Sequence, residues 1–209
     1  MSKKSLRDQA YEIIKNKIIN CELVPGSPLI EKELMEEIRS SRTPIREALS
    51  KLEHENLVTI YPKRGIFVTN ITIKDIIDIY TVREAVEPLA ARLATPHIDL
   101  SQLDPYLQIY ADPNRKFDLE EHIRTDREFH SIIANSTENL YLAQTLLKIY
   151  DQNSRIRIMS KLKVKARHNE ARQEHYELIK AFMDRDVEKA EMIMKEHIAN
   201  GKKTAMKIV

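Results

Sequence analysis

The chain has 209 residues with 34 basic and 32 acidic side chains, and its net charge of +2 excludes a protein that coats polyanions through overall charge. Cys21 is the single cysteine, so a disulfide framework is excluded and a reducing compartment is favoured. No apolar run approaches the ~20 residues that span a bilayer, and the first residues lack the apolar core of a signal peptide, so we expect a cytoplasmic protein with no membrane partner.

The first two predicted elements are helices. Apolar residues recur at the helical period from Leu6 to Ile18, and this pattern predicts an amphipathic helix. A second, shorter helix is predicted from Leu29 to Ile38, with Leu34 and Ile38 as its buried positions. A turn of three or four residues follows the second helix.

Residues 41–49 have the sequence of the start of a DNA recognition helix. Pro44 suits the first helical turn, where a missing N–H costs nothing, and Ser41 or Thr43 can cap it. An arginine such as Arg46 near the N-terminus of a short helix can enter the major groove, where its guanidinium matches a guanine edge. For one arginine alone, an ordinary solvated helix is the alternative interpretation. With the preceding helix and turn, the segment predicts a helix-turn-helix.

A hairpin with a basic tip is predicted next. Residues 58–61 and 66–69 are rich in β-branched and aromatic residues, and Pro62-Lys63-Arg64-Gly65 lies between them. Beside a recognition helix such a hairpin is a wing. Lys63 and Arg64 would then reach phosphate or the minor groove.

The stretch from Ile18 to Val68 resembles the winged helix of the GntR family of bacterial transcription regulators. The matching residues are Pro25-Gly26, Leu29, Leu34, the Ser-Arg-Thr-Pro-Ile-Arg-Glu-Ala-Leu run at 41–49, Leu52, Leu57-Val58, Pro62, Arg64-Gly65 and Val68. The resemblance implies contacts to operator DNA through Lys32, Arg42, Thr43, Arg46, Lys63, Arg64 and Gly65. The family usually has Gly-Val before Ser-Arg-Thr, and this chain has Arg39-Ser40. Because glycine supplies a left-handed turn there, either Arg39 bears a modest strain or the turn differs.

Long helical periods take over beyond about residue 70. Thr72 is predicted to cap a helix that ends near Ala94. Further helices are predicted over 100–110, 119–135, 140–160, 168–184 and 187–206, with caps at Asp118, Asn139 and Asp186. The predicted fold is therefore mostly α, with a winged helix-turn-helix domain at 1–71 and an all-α helical bundle at 72–209.

Three of these helices have ionisable side chains within their apolar stripes. Asp126 and His130 share one face of the helix at 119–135, and His175 and His197 lie at the centres of two later stripes. Because a buried carboxylate without a partner is costly, convergence of these side chains on one cation would stabilise them. The alternatives are that each histidine is a hydrogen-bonded core residue and that Asp126 pairs with a buried arginine. We assign a structural role to His54, His97, His122 and His168, although His122 lies on the Asp126 face of its helix and is a possible neighbour of the site.

The region from about Ile73 to Ala205 resembles the FCD ligand-binding domain of the FadR-type branch of the GntR family. The motifs that carry this resemblance are Val82-Arg83-Glu84-Ala85-Val86-Glu87, Asp126-Arg127-Glu128-Phe129-His130, Glu174-His175 with Ile179, and His197-Ile198. The resemblance implies that a divalent cation, often zinc or nickel, is held by Asp126, His130, His175 and His197.

Arg83 also lies on an apolar helix face, and a buried guanidinium requires an anion. A carboxylate of the chain itself could be that anion, either Glu87, one helical turn along, or Asp126. The resemblance implies another, because the matching arginine of FCD domains commonly binds the carboxylate of a small effector that also contacts the metal. Arg83 and the metal would then form a site for a small organic acid.

These features predict a sequence-specific transcription regulator, and not an enzyme, whose affinity for DNA responds to a small acid. One winged helix buries too little surface for tight specific binding, so two copies on a palindromic operator are expected. The resemblance implies a homodimer. Two alternatives remain open: a metal-dependent hydrolase, which the absence of an HExxH motif and of a separate general base disfavours, and a constitutive DNA-binding protein with a purely structural metal.

Overall fold

The computed structural model describes residues 5–113, 115, 118–159 and 167–206. The chain divides into two compact units, residues 1–71 and 72–209. Among the described helices, none combines the length and the apolar character needed to cross a membrane.

The N-terminal unit is a three-helix core with a small sheet. Its elements are α1 (Leu6–Ile19), β1 (Pro28–Leu29), α2 (Glu31–Ile38), α3 (Arg42–His54), β2 (Val58–Tyr61) and β3 (Gly65–Val68). The strands pair antiparallel in the order β1-β3-β2. The apolar faces of the elements form one core: Ala10, Ile14, Ile18, Leu29, Leu34, Ile45, Ala48, Leu49, Leu52, Leu57, Val58 and Val68. This arrangement is the predicted helix-turn-helix followed by a wing.

The start of the second helix differs from the prediction. Leu29 was expected to open that helix, but it pairs with Ile66 in β1, and α2 begins at Glu31. Because β1 has two residues, it carries too little periodicity to be distinguished from the adjacent helix. The Leu29 side chain is buried in the common core, and pairing with β3 satisfies its backbone.

The turn between α2 and α3 keeps the geometry that the family usually builds with glycine. Arg39 ends α2 in the left-handed conformation, with φ 54° and ψ 47°. A side chain with a Cβ atom is strained there by about 1 kcal/mol relative to glycine. Of the two possibilities raised by the sequence, the structure shows the first, because Arg39 bears the strain and the turn is retained.

The described part of the C-terminal unit is entirely helical. Its elements are α4 (Ile73–Ala94), a short 3-10 helix (Leu100–Gln102), α5 (Asp104–Ala111), α6 (Leu119–Asn135), α7 (Leu140–Met159), α8 (His168–Met183) and α9 (Val187–Met206). Thr72 caps α4 through a reciprocal capping box with Asp75, as its position predicted. Helix α4 packs against α6, α7 and α9, and α8 packs against α9, so these helices enclose a common interior.

One predicted helix is divided in two. The segment from Leu100 to Tyr110 forms the 3-10 helix and then α5, with Leu103 between them. Pro105 lies in the first turn of α5, where its missing N–H costs nothing, so the proline marks the start of a new helix after the 3-10 helix. Ser160, the predicted last residue of the helix that begins at Leu140, lies outside the described residues.

Candidate functional site

The predicted DNA-contacting residues are all exposed on the winged helix. They come from α2, from the first turns of α3 and from the tip of the wing: Lys32, Arg42, Thr43, Arg46, Lys63, Arg64 and Gly65. Helix α3 begins at Arg42 and has Ser41 at the N-cap position, although the Ser41 side chain makes no capping hydrogen bond. The N-terminus of α3 therefore presents two arginines and a threonine to solvent.

Arg42 and Arg46 share one carboxylate in the free protein. The Nε atom of Arg46 donates to Oε1 of Glu31 at 2.6 Å, and Nε of Arg42 lies 3.6 Å from Oε2. The hydrogen bond from Arg46 holds the pKa of the Glu31 carboxyl below its ordinary value. Both arginine side chains remain more than 60% exposed, at 63% and 62%. Glu31 thus positions both guanidinium groups without burying them.

The wing tip is a tight turn. The backbone N–H of Arg64 donates to the carbonyl of Tyr61 at 3.1 Å, and Lys63 adopts a φ of 64°. Gly65, opposite Tyr61 in the hairpin, has a φ of 109°, which a residue with a Cβ atom rarely adopts. Two basic side chains are therefore held at the end of a short, rigid hairpin.

The four residues predicted to hold a metal converge inside the helical unit. Asp126 and His130 come from α6, His175 from α8 and His197 from α9. One potential ligand atom from each lies within 4.8 Å of the others, and all four residues are buried. The Nε2 atoms of His130 and His175 are 3.3 Å apart, and Oδ1 of Asp126 is 3.6 Å from Nε2 of His175.

Two carboxylates orient the histidines. Oε2 of Glu87 lies 2.7 Å from Nδ1 of His130, and Oε2 of Glu174 lies 2.7 Å from Nδ1 of His197. When Nδ1 carries the proton, Nε2 keeps a lone pair directed at a metal, which is how carboxylates commonly support zinc-binding histidines. Nδ1 of His175 is buried without a hydrogen-bond partner among the described residues.

The protonation states suit a cation. Burial lowers the pKa of His175 and His197 well below the ordinary value, and neighbouring imidazoles lower the pKa of both further, so both rings are neutral. Burial alone would raise the pKa of Asp126, but the guanidinium of Arg157 outweighs it and holds that pKa well below its ordinary value. An ionised carboxylate and neutral imidazoles are the forms that bind divalent metals.

Asp126 also pairs with an arginine, as the alternative interpretation expected. Its Oδ2 contacts Arg157 on α7, while its Oδ1 lies near His175. The two oxygens therefore have different neighbours, and the ion pair coexists with the histidine cluster. Three imidazoles and one carboxylate form a donor set that zinc and nickel both accept.

A cavity adjoins this cluster and reaches solvent. Its volume is about 50 Å³. Asp126 and His197 contribute to its wall, and three arginines line it: Arg83, Arg157 and Arg167. Nε of Arg83 donates a hydrogen bond to Glu87, so Glu87 is the carboxylate that pairs with this buried guanidinium. Arg83 also lines the cavity.

Several residues of this site were missed by the sequence analysis. The supporting roles of Glu87 and Glu174 depend on contacts between helices, as does the pairing of Arg157 with Asp126. His122, assigned a structural role, is buried, lines the cavity and lies 4.2 Å from His168 between ring centroids. Its position four residues before Asp126 places both side chains on one helix face, as the sequence indicated when it left His122 a possible neighbour of the site.

Acid is expected to destabilise the metal-free protein below about pH 6.5. Burial, with a further contribution from Arg157, lowers the pKa of His122 to about 3, and burial also lowers the pKa of His175 and His197. Because the unfolded chain regains ordinary histidines, it binds more protons than the folded chain below this pH. The free energy of unfolding should then fall by about 1.4 kcal/mol per pH unit for each such histidine. Urea unfolding of the chelator-treated full chain between pH 7 and pH 5 measures this slope.

Two histidine variants provide the control. His122→Gln should reduce the slope of the unfolding free energy against pH by about 1.4 kcal/mol per pH unit, the contribution of one histidine. His97→Gln alters an exposed side chain and should leave that slope unchanged. Equal slopes in wild type and His122→Gln would contradict the assignment of a neutral, buried His122.

The N-terminal fold and its exposed arginines define a DNA-binding protein of the winged helix class, and the helical unit adds a second, separate domain. Residues 6–68 match the family model of the gntR bacterial regulatory proteins, and residues 78–200 match that of the FCD domain. The chain thus belongs to the GntR family. It is therefore a DNA-binding transcription regulator of the GntR/FCD type.

Known relatives agree with this membership. The chain is 29% identical over 196 residues to the HTH-type transcriptional repressor RspR of Escherichia coli K12, covering 92% of this chain and 86% of RspR. It is 28% identical over 149 residues to the regulator McbR of the same organism, covering 70% and 67%. The solved structure of E. coli McbR/YncC has the same fold, with a TM-score of 0.85 at 22% identity over 98% of this chain and 99% of that one. The predicted family, the mostly α fold and the prediction of a regulator rather than an enzyme are confirmed.

Proposed function

We propose that this regulator binds its operator as a homodimer and that a small carboxylate effector, held beside a divalent cation in the helical unit, controls operator affinity. The observation that carries the proposal is the contact between two features of one interior. Two members of the buried cluster, Asp126 and His197, form part of the wall of a cavity that arginines also line. A metal and guanidinium groups side by side suit a carboxylate.

The metal would be zinc or nickel, held by Asp126 and the three clustered histidines. Bound there, the cation would act as a Lewis acid toward an oxygen of the effector. Glu87 and Glu174 would keep His130 and His197 in the orientation that presents Nε2. Arg83, which lines the cavity, would contribute its guanidinium fork to the effector carboxylate.

In the winged helix, Arg42, Thr43 and Arg46 would read base edges in the major groove, and Lys32 would contact phosphate. Lys63 and Arg64 would reach phosphate or the minor groove, and Gly65 would let the wing approach the backbone closely. Two copies would match the two halves of a palindrome. The effector can change operator affinity only through unequal affinity for the states of the dimer.

The test begins with selection of genomic DNA fragments by the purified full chain, which should enrich a short palindrome. Operator affinity is then measured with zinc, with a chelator, and with zinc plus a panel of small organic acids. At least one acid should change the affinity by roughly tenfold, a typical allosteric coupling, and only in the zinc-loaded protein. If no acid changes the operator affinity of the zinc-loaded protein, the metal is structural and DNA binding is constitutive.

A matched pair of variants tests the role of Arg83. Arg83→Lys keeps the charge but loses the planar fork, so the acid concentration needed for the response should rise by roughly tenfold. Arg92→Lys makes the same change at a 60% exposed arginine of the same helix, and it should respond as wild type does. An unaltered response in Arg83→Lys would remove Arg83 from the effector site.

A further inference from the structure

We infer that the effector of this site is a dianion that carries a hydroxyl group, a small hydroxydicarboxylate, selected by Arg157, Arg167 and Asn153. The inference rests on the proposed function and names the chemical class of its effector. It follows from the charges that surround the cavity and from one buried amide oxygen that has no hydrogen-bond partner among the described residues.

The charged groups at the cavity balance one another without a metal. Each of the three arginines that line it contacts one carboxylate: Arg83 contacts Glu87, Arg157 contacts Asp126, and Arg167 contacts Glu174. Three positive and three negative groups sum to zero. A metal-free site therefore has no net charge for an anion to neutralise.

A divalent cation changes this balance. Metal-binding histidines must be neutral, so the cation adds two positive charges and the ligands remove none. Asp126 is already counted against Arg157, so the loaded site carries a net charge of +2. Uncompensated charge is costly where burial keeps water away. A ligand with two negative charges restores neutrality, whereas a monocarboxylate leaves one positive charge unmatched.

The arginines also provide a place for a second carboxylate. Arg157 belongs to α7 and Arg167 immediately precedes α8, so the two approach the cavity from different elements. Nη2 of Arg167 is engaged by Glu174 and by the carbonyl of His197, but its Nε is buried without a partner among the described residues. When one effector carboxylate lies near the metal and Arg83, the second can approach the unpartnered Nε of Arg167 and the guanidinium of Arg157, which also contacts Asp126.

Asn153 adds the requirement for a hydroxyl group. It lies one turn before Arg157 on α7, lines the cavity and is only 4% exposed. Its Oδ1 has no hydrogen-bond partner among the described residues. A hydroxyl group both donates and accepts, so it can satisfy this amide whichever way the amide is turned. A buried amide oxygen without a partner is unfavourable, so a ligand that supplies a donor is preferred.

The test is isothermal titration calorimetry on the zinc-loaded full chain with acids of four carbon atoms. Butyrate and succinate differ in charge at equal chain length, and malate adds one hydroxyl group to succinate. Succinate should bind at least tenfold more tightly than butyrate, and malate several-fold more tightly than succinate. The zinc content of each sample is measured beside the titration.

Variants assign the preference to residues. Arg157→Gln lowers the charge of the loaded site by one, so the advantage of succinate over butyrate should fall to a few-fold or vanish, while Arg157→Lys should keep it. Arg124→Gln removes an exposed arginine of α6 and should bind all three acids as wild type does. Asn153→Leu should remove the advantage of malate over succinate without altering that of succinate over butyrate. Circular dichroism verifies that each variant is folded.

The outcomes separate this inference from the proposed function. Equal binding of butyrate and succinate, or a preference for succinate that survives in Arg157→Gln, overturns the dianion and leaves the acid-responsive regulator intact. Equal binding of malate and succinate overturns the hydroxyl group alone. If none of these acids, nor any acid of the panel that was tested on the operator, binds the zinc-loaded chain, the proposed function itself fails.

Discussion

Arg46→Ala is expected to lower operator affinity by roughly two orders of magnitude or more while the helical unit stays folded. A bidentate contact between an arginine and a guanine is worth ~1–3 kcal/mol, and a dimer would lose it twice. The loss should concentrate on the specific site, because Arg46 lies on the exposed face of α3, the proposed recognition helix, and contributes nothing to its buried face. Fluorescence anisotropy with the selected palindrome and with a scrambled duplex, at one fixed salt concentration, measures both affinities.

Arg7→Ala is the control for charge. Arg7 is an exposed arginine of α1 in the same unit, so its removal lowers the charge equally without altering α3. Its effect should be small and similar on both duplexes. Operator affinity retained in Arg46→Ala would refute the assignment of α3 as the recognition helix.

His175→Ala should weaken zinc binding by at least about 100-fold. Removing a group that only supports a metal ligand typically costs 10–100-fold in metal affinity, and His175 would itself be a ligand. Competition with a chromophoric chelator measures the zinc dissociation constant, and the response of the operator complex to acids should be lost in parallel. Zinc should raise the melting temperature of wild type, because binding to the folded state alone stabilises it, and this increase should disappear in the variant.

Two further substitutions distinguish the loss of a metal ligand from a loss of folding. His175 is fully buried, so His175→Gln, which keeps more of the side-chain volume, should show the same loss of zinc with a smaller loss of stability. His168→Ala changes a half-buried histidine of the same helix outside the cluster and should retain zinc. Unchanged zinc binding in both His175 variants would mean that the metal site lies elsewhere or does not exist.

The helices were predictable because their signals are local and repeated. Helix α6 begins at Leu119 and ends at Asn135 as the sequence predicted, with Asp118 accepting a hydrogen bond from the backbone of Glu121 at 2.7 Å. Long amphipathic periods and caps of this kind depend on neighbouring residues alone. The two-residue strand β1 escaped prediction because pairing with a distant strand leaves no period to detect. The break before α5 has a local signal, Pro105, which the predicted helix over 100–110 did not use.

The site was predictable in its chemistry and less so in its connections. Ionisable residues within apolar stripes indicated Asp126 and the histidines, since a charge on a buried face requires a reason. The residues that contact these ligands could not be predicted. Glu174 adjoins His175 in the sequence yet lies against the ring of His197, and only the packing of α8 on α9 determines that contact. Arg157 likewise meets Asp126 across two helices.

The shared carboxylate of Glu31 has a consequence for how the protein would search a genome. A phosphate met at random must compete with Glu31 for the guanidinium of Arg46, so an incidental encounter gains little and ends quickly. A guanine edge in the correct register offers two acceptors and other contacts at once, and it can complete the exchange. If Arg42 and Arg46 read the operator as we propose, they would be occupied by Glu31 between sites, and each pause on irrelevant sequence would be shorter than the residence on the operator.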